Sequence, residues 1–298
     1  MSIFATSCQN NEPAQQSDKP TIEFQHKLGT TQIVESPERV VIFDIGAMET
    51  FDELGLPMVG LPLSNLPNHL AKYKDMKEIG DIGTVKEANF EKVHALNPDL
   101  IIISIRLEAS YDEFSKIAPT IFYDVDPNDY MTSFKANTRM IGRLYGKEDE
   151  VEKHLKEIDQ DIENTQRKAA TLDQKSLIVL FNNSNFSAFG RGSRFGFIHD
   201  VLGVPATDEG LDVSRHGQKI SNEYILEQNP DILYVVDRNV IVNSVPTNKS
   251  DVENTLIQQT NAYKNGKIFY LDPQVWYLSQ GGITSTKKMI KEIEDSLN

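Results

Sequence analysis

Two stretches of the chain decide its fold: NFEKVHALNPDLIIISIR at residues 89–106 and SNEYILEQNPDILYVVDR at residues 221–238. They stand at a constant offset of 132 residues, with identities at Glu91/Glu223, Asn97/Asn229, Pro98/Pro230, Asp99/Asp231 and Arg106/Arg238. Val93/Ile225, Leu100/Ile232, Ile101/Leu233 and Ile103/Val235 are matching apolar pairs. Each copy reads as a short helix, an Asn-Pro-Asp turn and a β-rich apolar strand that ends in an arginine. Proline stops the helix and drives the residue before it out of helical geometry. The run from Leu100 to Ile105 is broken only by Ser104, the pattern of a strand buried on both faces in a parallel sheet.

Working outward, each copy is preceded by a second correspondence. A strand at Arg39–Phe43 leads through a loop to a helix ending at Leu54-Gly55-Leu56-Pro57, and a strand at Ser176–Phe181 leads through a longer loop to a helix ending at Leu202-Gly203-Val204-Pro205. Glycine suits the position just past a helix, and proline prevents continuation. Each half is thus expected to run strand, helix, Leu-Gly-x-Pro, strand, helix, Asn-Pro-Asp, strand. That alternation predicts α/β lobes with mainly parallel sheets. Between the halves, Lys147–Leu172 holds no Gly or Pro, and Val151, Leu155, Ile158, Ile162 and Thr165 recur every three or four residues. One amphipathic helix of about 39 Å is expected there, joining two Rossmann-like lobes stiffly and limiting hinge motion. The expected organisation is a tether at 1–20, a lobe at 21–146, the helix at 147–172 and a second lobe at 173–298, consistent with about two domains for 298 residues.

Acidic residues outnumber basic ones 44 to 30, which leaves a formal charge of -14 and argues against a nucleic-acid partner. Cys8 is the single cysteine, so neither an internal disulfide nor a cysteine zinc site can form. No run of 18 apolar residues is present to span a bilayer. Known catalytic signatures are missing. Ser193 sits in Gly190-Arg191-Gly192-Ser193-Arg194-Phe195-Gly196, which lacks the first glycine of a nucleophile elbow and is one residue too long for a dinucleotide loop. The six histidines (His26, His69, His94, His154, His199, His216) have no ligand spacing, and His94 and His199 read as structural or surface residues in helices. No resident metal or cofactor and no enzymatic activity are expected.

What remains is a set of cations at loop positions. Arg106 and Arg238 each end a parallel strand, and ligands of open α/β sheets bind beyond those ends. Arg191 and Arg194 follow the strand at 176–181; Lys86 and His216 precede the two repeats. Phe43, Phe186, Phe189, Phe195, Trp276 and Tyr277 lie in nearby or equivalent segments, with core packing the alternative for Trp276 and Tyr277. The expected cleft is basic and aromatic inside an acidic protein. It suits a compact, delocalised anion, because guanidinium groups offer forked donors and stack on π faces. Local carboxylate pairing is the plain alternative for each arginine. Glu91 and Glu223 fit either helix-dipole stabilisation or two matching acidic knobs for a two-fold partner.

The duplicated pattern and single long helix resemble the class III substrate-binding proteins of ABC importers, which bind iron–siderophores, haem or cobalamin. The resemblance covers residues 21 to 298. HKLGTTQIVESPERVVIFD (26–44), DIGTVKEANFEKV (81–93), SRFGFIHDVLG (193–203), HGQKIS (216–221) and YVVDR (234–238) look similar to Gram-positive lipoproteins that take up ferric catecholates such as petrobactin. That likeness implies ligand contacts at Arg106, Arg194, Arg238 and Lys86, and docking of Glu91 and Glu223 to the permease. It implies iron held by the siderophore alone. Residues Met1–Ser7 and Cys8, followed by a polar stretch to Pro20, resemble a lipoprotein cleavage site with Ala5 in place of the usual leucine. Cys8 is therefore expected to carry a lipid anchor, with the chain beginning inside its signal peptide, and the protein to act as an extracytoplasmic monomer on the outer face of the cytoplasmic membrane. Haem or cobalamin as ligand, and an α/β enzyme using the 190–196 loop on a phosphorylated substrate, remain alternatives.

Overall fold

Both Asn-Pro-Asp turns close their helices in the same way. The helices Phe90–Ala95 and Asn222–Gln228 end at Asn97 (φ 45°) and Asn229 (φ 43°), each in the left-handed region that asparagine tolerates. The aspartate then ties the turn to the neighbouring strand. Asp99 accepts from the backbone N–H of Glu38 (2.8 Å) and Arg39 (3.0 Å), and Asp231 from that of Lys175 (3.1 Å). Their own N–H groups donate to Arg39 and Lys175 carbonyls at 3.0 and 2.9 Å. The repeated residues are thus staples that fix strand register in both halves.

The computed structural model describes residues 20–214, 216–243 and 247–298, so Cys8 and the proposed tether up to Lys19 lie outside the described residues. A hairpin of β1 (Thr21–His26) and β2 (Gly29–Val34) opens the described chain. The first five-stranded sheet combines β3 (Val40–Ile42), β4 (Gly60–Leu61), β5 (Gly80–Asp81), β6 (Leu100–Ile103) and β7 (Thr120–Phe122) in the order β5-β4-β3-β6-β7, all parallel. The second combines β8 (Ser176–Asn182), β9 (Asn185–Phe189), β10 (Gln218–Ile220), β11 (Ile232–Asp237) and β12 (Ile268–Leu271) in the order β10-β9-β8-β11-β12. The repeat strands β6 and β11 hold the same place in their sheets. Every side chain of both is buried, as an unalternating apolar run requires.

The second half departs from the expected pattern at one edge. The longer loop after β8 contains β9, which returns antiparallel through Asn183 (φ 47°) and Ser184 (φ 62°) and in turn pairs with β10. This hairpin occupies the edge that β4 takes in the first sheet. The strand expected after Val204-Pro205 is reduced to a single bridge from Ala206 to Ser176.

The long helix runs Glu148–Ala169 and buries Val151, Leu155, Ile158, Ile162, Thr165 and Ala169. Acidic residues fill its first turn and Arg167 and Lys168 its last, matching the helix dipole. A second helix, Ile283–Ser296, packs along it. At its start, Ser285 donates its N–H to the fully buried Glu49 carboxylate (2.8 Å), and Thr286 meets the Tyr130 hydroxyl (3.1 Å). At its end, Ser296 meets the Tyr234 hydroxyl (2.7 Å). One buried apolar core runs from Ile42 and Phe51 through both helices to Tyr234 and Trp276.

Candidate functional site

The residues that follow β3, β6 and β7 and those that follow β8 and β11 line one cleft of about 940 Å³. The strand ends position its cations. Arg106 lies two residues beyond Ser104 in a 3-10 turn, and Arg238 directly follows β11. Both reach Tyr277: Arg106 donates from Nη2 to the Tyr277 carbonyl (3.2 Å), and Arg238 from Nε to the phenol oxygen (2.7 Å). Arg194 also donates to the Tyr277 carbonyl. Its guanidinium carbon sits 4.2 Å from the Tyr277 ring centre and 5.5 Å from that of Phe195; Arg238 stands 5.5 Å from the Tyr277 ring. Burial opposes ionisation of the Tyr277 phenol. The hydrogen bond from Arg238 and the charges of Arg194 and Arg238 outweigh it, and the pKa lies below the ordinary value. Three guanidinium groups therefore converge on one aromatic residue, and Lys86 from the first half and His216 from the second also line the cleft.

Two expected ligand residues are corrected. Arg191 does not line the cleft. It donates to Glu209 (3.0 Å), to the His199 carbonyl (2.7 Å) and to Asp200 (3.3 Å), bracing the helix Phe197–Asp200. Gly192, at φ +64°, turns the chain between Arg191 and Arg194 and sends the two arginines to different tasks. Trp276 is fully buried, with its Nε1–H on Glu292 at 2.6 Å and its ring against Phe197. The π-type helical turn Gln274–Leu278 puts Trp276 into the core and Tyr277 into the cleft. Phe43, Phe186, Phe189 and Phe195 are all buried in the core, and of these Phe189 alone also borders the cleft. His199 is buried with Nδ1 on the Val204 carbonyl at 2.8 Å, a packing role.

Sequence reasoning missed several cleft residues. Lys219 stands on β10, which was not foreseen as a strand; its one signal was its place in HGQKIS. Asp44, Ser104 and Asp124 line the first-sheet side. Burial pushes Asp44 up to about 7 against the opposing Ala47 N–H and the Arg106 charge. Asp124 is also raised, again by burial, against the Val125 N–H. Glu91 and Glu223 are away from the cleft, exposed in the first turns of helices capped by Asn89 and Ser221.

With this geometry in place, comparison with known proteins is decisive. Residues 40–275 match the periplasmic binding protein family. The chain belongs to that family. As a periplasmic binding protein it is 43% identical to the petrobactin-binding protein YclQ of Bacillus subtilis, over 99% of this chain and 95% of YclQ. The crystal structure of YclQ superposes with a TM-score of 0.91, covering 94% of this chain and 99% of that one. The ferric-anguibactin-binding protein FatB of Vibrio anguillarum is 36% identical over 98% of this chain and 93% of FatB. The periplasmic catecholate-siderophore binding protein VctP from Vibrio cholerae gives a TM-score of 0.87 at 34% identity, covering 93% and 100% of the two chains. The expected α/β architecture of a class III binding protein is thus the one found, and these relatives are binding proteins by name.

Proposed function

We propose that this binding protein captures an anionic ferric siderophore of the catecholate type in its interlobe cleft and delivers it to an ABC importer. The observation that carries this reading is the convergence of Arg106, Arg194 and Arg238 on Tyr277. A ferric tris-catecholate bears about three negative charges, which three guanidinium groups offset through charge-assisted hydrogen bonds. A recessed cleft strengthens that field within an otherwise acidic protein. The aromatic ring of Tyr277 suits a catechol ring, and Lys86 and His216 add basic groups from the two halves of the cleft. Iron is cargo held by the siderophore and not by protein side chains. The names of YclQ, FatB and VctP support the ligand class.

Glu91 and Glu223, exposed at repeat-equivalent helix starts, are the contacts offered to the two permease halves. Cys8 is the site of lipid attachment outside the cytoplasmic membrane, and the unit that acts is a monomer. A titration screen with ferric catecholate, ferric hydroxamate and ferric citrate, read by intrinsic fluorescence, tests the ligand assignment. Tight binding of the catecholate is expected, and an equal response to a neutral hydroxamate complex refutes the arginine-driven site. Changing Glu91 and Glu223 together to alanine should abolish transport at normal ligand affinity, and transport that survives removes the docking role.

A further inference from the structure

The cleft is not uniformly basic. Three neighbouring strands of the first sheet end in Asp44 (after β3), Ser104 (after β6) and Asp124 (after β7), and all three residues line the cleft. The register pairs Ile42 with Ile102 and Ile103 with Phe122. That places the three in one row, level to within a residue, at the strand spacing of about 4.8 Å.

Each member of the row has unused hydrogen-bonding capacity. Asp44 is 9% exposed. Its Oδ1 accepts the Ala47 N–H at 2.9 Å, and its other oxygen has no hydrogen-bond partner among the described residues. Ser104 is 3% exposed, and its Oγ has no partner among the described residues either. Neither carboxylate has a cation within ion-pairing distance among the described residues. The nearest influences are Arg106 on Asp44 and Lys27 on Asp124. The other groups facing Asp44 are Asp124, Glu49 and the phenols of Tyr123 and Tyr130, none of which neutralises it.

A buried carboxylate without a counter-ion and a buried hydroxyl without a partner both cost free energy. Side by side at strand ends, where α/β sheets bind ligands, they form a surface that repels anions and accepts N–H donors. We propose that Asp44, Ser104 and Asp124 form an acceptor subsite for a protonated amine carried on the backbone of the siderophore. This rests on the siderophore reading above and deepens it. The ligand is dipolar, with its anionic iron centre against the arginines and its ammonium group against this row. The row then selects among ferric catecholates that the arginines alone cannot tell apart.

The test compares two hexadentate ferric catecholates with the same chelating groups, one with amide linkers and one with a secondary amine in the linker. Wild-type protein should bind the amine complex at least about tenfold more tightly, the worth of one hydrogen bond to a charged group. Asp44→Asn with Asp124→Asn should erase that preference while holding or improving affinity for the amide complex. Asp44→Asn alone keeps an acceptor for the Ala47 N–H and should fold normally, and it should reduce the preference in part. An equal affinity of wild type for the two complexes, or a preference that survives both substitutions, overturns the proposal. Uptake of neither complex would instead refute the catecholate reading. The row is then decided by titrating the free protein with a dialkylammonium chloride and following the carboxyl carbon resonances of Asp44 and Asp124. Shifts that vanish in the asparagine variants uphold the subsite, and unmoved resonances overturn it.

Discussion

Replacing Arg106 and Arg238 together with alanine is the perturbation that bears most directly on the proposed function. Each guanidinium makes a hydrogen bond to Tyr277, at 3.2 and 2.7 Å, and neither pairs with a carboxylate among the described residues. Their charge is therefore available to a ligand. A hydrogen bond to a charged group contributes about 1.5–3 kcal/mol, so the two sum to about 3–6 kcal/mol. At about 1.4 kcal/mol per tenfold, that is a loss of roughly 10²–10⁴ in affinity. Both side chains touch the same residue, so their effects are coupled and the double change should fall short of the sum. A loss of at least about tenfold for a ferric tris-catecholate is expected, the minimum for one such hydrogen bond, because coupling takes the pair below its sum. The stability cost should stay within about 1 kcal/mol, because both arginines are only partly buried and the Tyr277 carbonyl keeps its hydrogen bond from Arg194. Intrinsic fluorescence titration gives the affinity, and urea unfolding of the same samples gives the stability. An affinity loss below tenfold, or one matched for a neutral ferric hydroxamate, would refute the electrostatic argument.

Three further outcomes follow from the packing. Trp276→Phe should destabilise the protein by about 1–3 kcal/mol, since it leaves the largely buried Glu292 without the indole donor, yet ligand affinity of the folded fraction should not change; denaturant unfolding beside a ligand titration checks both. Gly281→Ala meets Val125 Cγ2 at 2.2 Å and sits at φ +80°, so left-handed strain and overpacking together should cost at least about 2 kcal/mol, read from the urea midpoint. Asp44 titrates near 7 when folded against 3.8 in the unfolded chain, so the folded state holds the extra proton between those values, and the stability this residue contributes is lost as pH rises through about 7. Asp44→Asn should therefore raise the melting temperature most at pH 8 and little at pH 4, and a pH-independent effect would contradict the burial argument.

The repeat, the strand-end arginines and the amphipathic linker helix were legible because each depends on short-range chemistry. An Asn-Pro-Asp turn stops a helix wherever it occurs, and an apolar run of six residues declares a buried strand. The rest depended on contacts distant in sequence. Arg191 and Arg194 are indistinguishable until the positive φ of Gly192 sends one towards Glu209 and Asp200 and the other towards Tyr277. Trp276 and Tyr277 are neighbours whose fates are separated by a single π-type turn. The β9 return did have a signal, the Asn183-Ser184 pair able to take left-handed geometry, but no alternating pattern around it announced a hairpin. Asp44 caps the helix that follows β3, and its place on the cleft wall depends on the neighbouring ends of β6 and β7, which no local pattern announces.

The helix Ile283–Ser296 has a consequence for how the protein is made. The buried carboxylate of Glu49 finds its backbone donor at Ser285, 236 residues later in the chain. The hydroxyl of Tyr130 likewise waits for Thr286 and the N–H of Gly281. A chain that emerges from its amino terminus thus lacks these particular partners until almost the last residue has arrived, although His69 meets the other Glu49 oxygen (2.7 Å) within the first half. Domains usually complete themselves in the order of synthesis. Here the packing around Glu49 and Tyr130 is completed only when residues 281–286 have been made, so the last helix closes the core of the first half.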